Sequence, residues 1–199
     1  MSTLVLAGGQ SVTDYPGQDL AILAKASFTF GVNNSGFIWP CDVIVALDSD
    51  WIRTYANDLK ELGRPIITRD WGNAVKGLGL DLIEVPNAIR FRLSGMVAAK
   101  LADTLANRSG RRNYVVGLDH TAGHYYNEES DCTKIVTLDD YERMGLTNTH
   151  NLGIHSKIKC WPKLSKLPKW QKCAVSKEYR QIAIAWLRGE AGKILGVKI

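Results

Sequence analysis

The chain lacks long apolar runs and closely spaced cysteines. Its longest apolar runs, such as Leu4–Ala7 and Val43–Leu47, fall far short of the ~20 residues that a membrane-spanning helix needs. The N-terminus has neither the basic nor the apolar segment of a secretory signal. The four cysteines form no C-x-x-C pair, so neither a disulfide framework nor a zinc site is indicated. We therefore expect a cytoplasmic protein with reduced thiols and no transmembrane segment.

Several catalytic signatures are also missing. None of the four histidines stands in an H-E-x-x-H spacing, which argues against a zinc enzyme. The chain has no G-x-S-x-G segment and no context typical of a Cys/His protease. A glycine-rich turn near the N-terminus lacks the P-loop lysine and does not complete the G-x-G-x-x-G pattern.

The charge of the chain is unevenly distributed. The chain has 199 residues, of which 45% are hydrophobic and 23% charged, the balance of a soluble globular domain. Residues 1–151 hold 14 Lys/Arg and 18 Asp/Glu, a net charge of −4, whereas residues 152–199 hold 11 and 2, a net charge of +9. We predict an α/β domain at residues 1–160 and a basic C-terminal segment with a terminal helix at residues 161–199. The basic segment indicates a polyanionic partner, with mere solubility as the alternative.

Short apolar segments rich in β-branched residues alternate with amphipathic helical segments. The predicted strands are Thr3–Ala7, Ser27–Val32, Asp42–Leu47, Pro65–Thr68, Leu82–Val85, Asn113–Leu118 and Ile154–Trp161. The predicted helices are Leu20–Lys25, Trp51–Leu62, Gly95–Asn107, Thr137–Met144 and Ser176–Arg188. Strands that alternate with helices pair in parallel through right-handed crossovers. The pattern predicts an α/β fold, a doubly wound, mostly parallel Rossmann-like sheet with helices on both faces.

Polar residues directly follow three of the predicted strands. Asn33, Asp48 and Asp119 each come immediately after a buried apolar segment. Ligands of open α/β sheets bind beyond the carboxyl ends of the strands. We therefore expect these three residues to line one cleft, and the polar segment Thr121–Asp131 is long enough to form a lid over it.

Two segments are predicted to bind the phosphates of a nucleotide. The Gly8-Gly9-Gln10-Ser11 turn follows the first strand, where glycines let backbone N–H groups approach an anion and the serine hydroxyl adds a donor. Ser94-Gly95 begins the strongest predicted helix, and a helix N-terminus offers free N–H groups and partial positive charge. A purely conformational turn and simple capping by Ser94 are the alternatives.

Two carboxylates one residue apart follow the third strand. Asp48 and Asp50 have the spacing with which many sugar-nucleotide transferases share a divalent ion that neutralises a diphosphate leaving group. A manganese or magnesium ion is the predicted metal. Asp50 is equally placed to be the N-cap of the helix that begins at Trp51.

Three side chains are candidate catalytic groups, namely His124, His150 and Asp119. His124 precedes Tyr125 and Tyr126 in the predicted lid, and an imidazole beside two phenols can exchange a proton with a hydroxyl or bind a phosphate. An ordinary surface or core role is the alternative for each histidine.

The basic C-terminal segment carries aromatic residues among its lysines. Trp161, Trp170, Tyr179 and Trp186 are interleaved with positive charges there. Phosphate contacts and base stacking by such a segment suit a nucleic acid. The predicted contacts are Lys163, Lys166, Lys169, Lys172 and Arg180.

The order of these motifs resembles that of the bacterial family-42 sialyltransferases. The similarity lies in the Ala7-Gly8-x-x-Ser11 turn, the strand that ends at Asn33, and the Ser94-Gly95 helix that leads into the strand at residues 114–119. It covers about residues 3–160. The same pattern resembles a wider set of Rossmann-type proteins that includes archaeal hydroxymethylpterin diphosphokinases.

The resemblance implies a role for each matching residue. It places the nucleotide phosphate at Gly8, Gly9 and Ser11, and the nucleoside or sugar at Asn33 and Asp48. It places the nucleobase or phosphate side at Ser94 and Gly95, and the leaving phosphate at Tyr125 or Tyr126. A histidine before the last strand is the base in that family, which His150 matches in position, whereas the family position of Asp48 is normally amidic.

These observations predict a glycosyltransferase that moves a sugar from a nucleotide sugar to a hydroxyl group. A modified base in DNA is the favoured acceptor, as for phage enzymes that act in the host cytoplasm, and an anionic glycan is the rival. A non-catalytic nucleotide-binding or nucleic-acid-binding module and a diphosphokinase are the alternatives.

Overall fold

A computed structural model describes most of the chain. The described residues are 2–87, 89, 91–120, 122–124, 127–131, 136–154, 156–164 and 174–196, with the backbone alone at 122–124 and 127–131. The strands are β1 (Thr3–Leu6), β2 (Phe28–Val32), β3 (Val43–Val45), β4 (Ile66–Arg69), β5 (Leu82–Val85), β6 (Asn113–Val116), β7 (Ala122–His124), β8 (Asn127–Asp131) and β9 (Thr149–Asn151). The helices are α1 (Gly17–Lys25), α2 (Ser35–Ile38), α3 (Ser49–Thr54), α4 (Ala56–Leu62), α5 (Asn73–Lys76), α6 (Ser94–Arg108), α7 (Leu138–Glu142) and α8 (Lys177–Leu195).

In this part of the chain, seven strands form a parallel sheet in the order β5-β4-β3-β2-β1-β6-β9. Each of its neighbouring strand pairs is parallel. After β5 the chain returns through α6 to the other side of β1, so the strand order reverses between β1 and β6. The predicted doubly wound, Rossmann-like α/β fold is therefore confirmed, and ligands of such sheets bind at this reversal.

Helices cover both faces of the sheet because its strands are apolar on both sides. On one face, Val5, Phe30 and Val115 pack with residues of α6, including Val97 and Leu101. On the other face, residues of β1 and β6 pack with α1, and residues of β3 and β4 pack with α3, α4 and α5. The interior strand β1 is buried along its whole length, as its apolar sequence after Thr3 predicts.

The terminal helix packs into the main core. Its buried residues are Ala183, Leu187, Ala191 and Leu195, and they contact the cluster that contains α6. The helical periodicity of the sequence favours a buried face formed by Ile182, Ala185 and Trp186, but Ile182 is 66% exposed. The helix is longer than predicted, and its small and apolar residues at a spacing of four continue to Leu195. The buried face therefore lies beside the predicted one on the helix surface.

Three further elements differ from the predictions. The helix expected over Trp51–Leu62 is interrupted at Tyr55, between α3 and α4. It ends at Leu62 as predicted, where Gly63 follows with a left-handed backbone (φ 58°). The predicted lid contains an antiparallel hairpin of β7 and β8. Among the described residues the last strand is β9, not Ile154–Trp161, because β9 pairs with β6 and forms the edge of the sheet.

Among the described residues, no helix combines the length and the apolar character that a bilayer crossing requires.

Candidate functional site

The carboxyl ends of the parallel strands form one edge of the sheet, which we call the carboxyl rim. The segments that follow these strands there are the Gly8-Gly9-Gln10-Ser11 turn after β1, Asn33 after β2, Asp48 after β3 and Asp119 after β6. Ser94 joins them, because its Oγ accepts a hydrogen bond from the backbone N–H of Leu47 at 3.0 Å. The fold thus brings together at one edge residues that are far apart in the sequence.

Ser11 and Asp119 bind each other across the rim. The backbone N–H of Ser11 donates to Asp119 Oδ2 at 2.7 Å, and its hydroxyl donates to Oδ1 at 2.6 Å. Ser11 Oγ also accepts from the backbone N–H of Gly117 at 3.0 Å. Ser11 and Asp119 are 0% and 3% exposed. Asp119 thus holds the turn after β1 in place through Ser11. The phosphate contact predicted for Ser11 and the catalytic role predicted for Asp119 stay predictions.

Glycines allow this close approach. A Cβ atom on Gly9 would lie 2.5 Å from Asp119 Oδ2, and one on Gly153 would lie 2.6 Å from Asp119 Oδ1. The backbone N–H of Gly9 donates to the carbonyl oxygen of Gly117 at 2.6 Å. Only a glycine fits at position 9 between the strand ends, so this position serves the conformation of the turn. Gln10 is the exposed residue of the turn.

Replacing Asp119 by alanine is expected to lower the free energy of unfolding by about 2–4 kcal/mol, because the buried N–H and hydroxyl of Ser11 lose their acceptor. Denaturant unfolding followed by circular dichroism measures the loss. Ser11→Ala removes the hydroxyl alone and should cost less. The double variant should lose less than the sum of the two single losses, since they remove the same contact, and strictly additive losses would contradict the coupling.

Asn33 has an amide oxygen that the described residues leave without a partner. Its backbone is left-handed (φ 48°), a conformation that asparagine adopts more readily than most residues. Its Oδ1 is buried and accepts no hydrogen bond. The next residues are engaged, because Asn34 Oδ1 accepts from Trp51 Nε1 at 2.7 Å and Ser35 Oγ donates to the Ala7 carbonyl at 3.0 Å. A ligand that donates a hydrogen bond would satisfy Asn33.

The two carboxylates predicted to bind a metal have other partners. Asp48 is the N-cap of α3, and its Oδ1 accepts from the backbone N–H groups of Asp50 and Trp51 at 2.8 and 3.4 Å. The cap is therefore Asp48 rather than Asp50, because the helix begins at Ser49. Asp50 forms an ion pair with Arg53. No group of three or more Asp, Glu, His or Cys side chains that could hold a metal occurs among the described residues. The metal stays a prediction.

Ser94 and Gly95 form the first turn of α6. Ser94 is the first helical residue and Leu93 is the N-cap, so Ser94 does not cap the helix. Its hydroxyl instead joins α6 to the end of β3 through Leu47. A Cβ on Gly95 would lie 2.7 Å from Leu118 Cδ1. This glycine lets the N-terminus of α6 reach the loop after β6 at the carboxyl rim.

The structure separates His150 from the rim. His150 lies inside β9, where it is paired with Tyr114 near the start of β6, and the two ring centroids are 6.0 Å apart. Its Nδ1 is 3.4 Å from the carbonyl oxygen of Asn148. The backbone of His124 lies in β7. The side chain of His124, and all of Tyr125 and Tyr126, lie outside the described residues.

His120 is a histidine at the rim that the sequence analysis did not select. It follows Asp119 directly, has a left-handed backbone (φ 52°) and is 9% exposed. Its ring meets that of Tyr141 edge to face at a centroid distance of 5.6 Å. A left-handed histidine is uncommon and such conformations cluster at functional sites. Its place after a strand was visible in the sequence, but its backbone conformation was not.

The predicted nucleic-acid contacts are only partly described. Arg180 forms an ion pair with Asp42 just before β3 and donates to the Lys25 carbonyl at 2.9 Å, which places it at the opposite edge of the sheet from the rim. Burial raises the pKa of Asp42, and the Thr29 N–H and Arg180 oppose this shift. Arg188 and Lys193 also pair with carboxylates, those of Asp81 and Glu190.

Lys163 and Trp161 are likewise occupied. Lys163 Nζ donates to the carbonyl oxygen of Ser156 at 2.6 Å. Trp161 is 2% exposed and packs edge to face on Tyr141 at 5.8 Å, so its ring is not open to base stacking. Lys166, Lys169 and Lys172 lie outside the described residues.

Comparison with known proteins yields a structural relative. No protein-family model and no curated protein matches the chain. The solved structure of the MAf glycosyltransferase from Magnetospirillum magneticum AMB-1 is similar, with a TM-score of 0.60 and 14% sequence identity. The similarity covers 98% of this chain and 38% of that enzyme. The chain thus shares its fold with a part of a glycosyltransferase, while the narrower resemblance to family-42 sialyltransferases stays a prediction.

Proposed function

We propose that this protein is a glycosyltransferase that moves a sugar from a nucleotide-activated donor to an acceptor hydroxyl. The observation that carries the proposal is the carboxyl rim, where one edge of the sheet collects the glycine turn, Asn33, the N-terminus of α6 and His120. A shared fold does not determine function. The similarity to the MAf glycosyltransferase over 98% of the chain supports the proposal through the fold.

The donor binds with its nucleotide along the rim. Asn33 accepts a hydrogen bond from the nucleoside with the amide oxygen that lacks a partner. Gln10, the exposed residue of the turn after β1, lies where it can reach the phosphate. The N-terminus of the 15-residue helix α6 stabilises the negative charge that develops on the leaving phosphate. No step of this reaction is assigned to a metal ion.

His120 is the proposed general base. It accepts the proton of the acceptor hydroxyl as the oxygen attacks the anomeric carbon and the bond to the nucleotide phosphate breaks. The Ser11 and Asp119 pair holds the backbone on either side of the rim, which keeps the adjacent His120 in its left-handed conformation. His150 is less suited because it lies within β9 rather than at the strand end. The side chain of His124 lies outside the described residues, so a His124 variant tests whether it acts as the base.

DNA as the acceptor finds little support in the described residues. Arg180 is paired with Asp42 at the far edge of the sheet, Lys163 binds a backbone carbonyl, and Trp161 is buried. Transfer to a modified DNA base therefore stays a prediction from the charge of the sequence.

Incubation of the protein with a panel of nucleotide sugars is expected to release free nucleotide, faster when an acceptor is added. Asn33→Gly keeps the left-handed backbone and removes the amide, and it should raise the KM for the donor about tenfold, as loss of a buried hydrogen bond does. Gln18→Ala, on the exposed face of α1, is the matched control. Donor binding without release would instead indicate a binding module, and AMP formation from ATP would indicate a diphosphokinase; either result contradicts the proposal.

A further inference from the structure

A cleft of about 370 Å³ opens between the segment that leads into α6 and helix α7. Its apolar lining consists of Phe91, Met96 and Val136, which are at most 7% exposed. Met96 is two residues beyond Ser94, whose hydroxyl binds the backbone of Leu47 at the carboxyl rim. The cleft is therefore adjacent to the proposed donor site, and it has the size and the partly apolar lining of a small-molecule site.

Two arginines give the cleft a positive charge. Arg92 and Arg143 line it and are exposed, and neither forms a salt bridge with a described residue, unlike Arg53, Arg180 and Arg188. Arginine binds carboxylates and phosphates through two parallel N–H donors. Two arginines that form no salt bridge with the described residues therefore offer an anion up to four directed hydrogen bonds.

One carboxylate also lines the cleft, but it is already engaged. Asp140 Oδ2 accepts from the backbone N–H and the hydroxyl of Thr137 at 2.7 and 2.9 Å, which forms the capping box of α7. These hydrogen bonds lower the pKa of Asp140, and Arg143 and Arg92 lower it further. Asp140 is therefore ionised at neutral pH, and the described lining residues carry an excess of one positive charge.

We propose that this cleft binds an acidic sugar of the acceptor, with its carboxylate or phosphate group between Arg92 and Arg143. The sugar ring lies over Phe91 and Met96, and the anion balances the excess charge of the cleft. The role as an acceptor site rests on the proposed function, whereas the anion site itself does not.

Titration calorimetry of the full chain with glucuronate, glucose 6-phosphate and glucose tests the proposal. We expect one or both acidic sugars to bind, more weakly as salt is added, and glucose to bind at least tenfold more weakly. Arg92→Gln and Arg143→Gln should each weaken binding of the acidic sugar about tenfold or more. Arg143→Lys keeps the charge but removes the paired N–H donors, so its affinity for the acidic sugar should lie between those of the unchanged protein and Arg143→Gln. Arg111→Gln removes an exposed arginine just before β6, at the opposite edge of the sheet, and should leave binding unchanged.

The relative affinities of the three sugars identify the anion that the cleft binds. Tighter binding of glucuronate identifies a carboxylate, and tighter binding of glucose 6-phosphate identifies a phosphate. Equal binding of glucose and the acidic sugars, no binding of any of them, or equal effects of the Arg143→Gln and Arg111→Gln variants would overturn the proposal. Thermal unfolding of each variant shows that it is folded. Because no donor is present, the titration reports on this cleft even if the donor panel fails.

Discussion

His120→Asn is expected to lower kcat for sugar transfer by about 10²–10⁴-fold, the range that a general base contributes. Asparagine tolerates the left-handed backbone that His120 adopts (φ 52°), so the variant should fold. Its amide cannot accept a proton at neutral pH. The KM for the donor should change little, because the proposed contact of His120 is with the acceptor hydroxyl. Steady-state assays with the donor and an acceptor measure kcat and KM separately.

His150→Asn is the matched control for this prediction. His150 lies within β9, away from the carboxyl rim, so the variant should keep transfer within a few fold of the unchanged protein. A large loss in His150→Asn together with full activity in His120→Asn would transfer the role of base to His150. A large loss in His124→Asn alone would transfer it to His124.

Gly117→Ala is expected to destabilise the protein by about 2–5 kcal/mol, through left-handed strain and overpacking. Gly117 has a φ of 78°, and a Cβ there would lie 2.5 Å from the Ala7 carbonyl oxygen and 2.7 Å from Val12 Cγ2. The carbonyl belongs to the backbone at the end of β1, so it cannot move aside without opening the junction of β1 and β6. Denaturant unfolding gives the loss directly.

Alanine variants of two other glycines distinguish the cost of backbone strain from the cost of steric overlap at the added Cβ. Gly110 has a φ of 61° and nothing within 4 Å of its Cβ position, so Gly110→Ala adds strain alone and should cost about 1–2 kcal/mol. Gly77 has an ordinary right-handed backbone and open space around its Cβ position, so Gly77→Ala should change stability by about 0.5 kcal/mol or less. Equal losses for Gly117→Ala and Gly110→Ala would show that the rim is not tightly packed.

Secondary structure was predictable where a short segment carries its own signal. β5 lies at Leu82–Val85 as predicted, the helix predicted to end at Leu62 does so, and α7 lies within the helix predicted at Thr137–Met144. The prediction failed at β9, because Thr149–Asn151 is polar and becomes a strand only by pairing with β6. It also failed for the buried face of α8, because α6 and β5 select which stripe of that helix is covered.

The residues of the candidate site were likewise predictable in position but not in their contacts. The prediction that Asn33, Asp48 and Asp119 share one edge followed from their positions after parallel strands. The sequence could not show that Asp119 faces Ser11, 108 residues away. It could not show that Asp48 caps α3 or that Arg180 is neutralised by Asp42 either. A polar side chain at a strand end has the same sequence signature whether it faces a ligand or a partner within the protein.

By itself, the sequence determined the alternation of strands and helices and the polar character of the strand ends, because hydrophobic periodicity and turn residues act over a few neighbouring positions. The tertiary structure alone decided which of these ends meet. β6 lies beside β1 because the crossover through α6 places it there, and that contact buries Ser11 and Asp119 together while leaving His120 at the rim and Arg92 and Arg143 at the cleft.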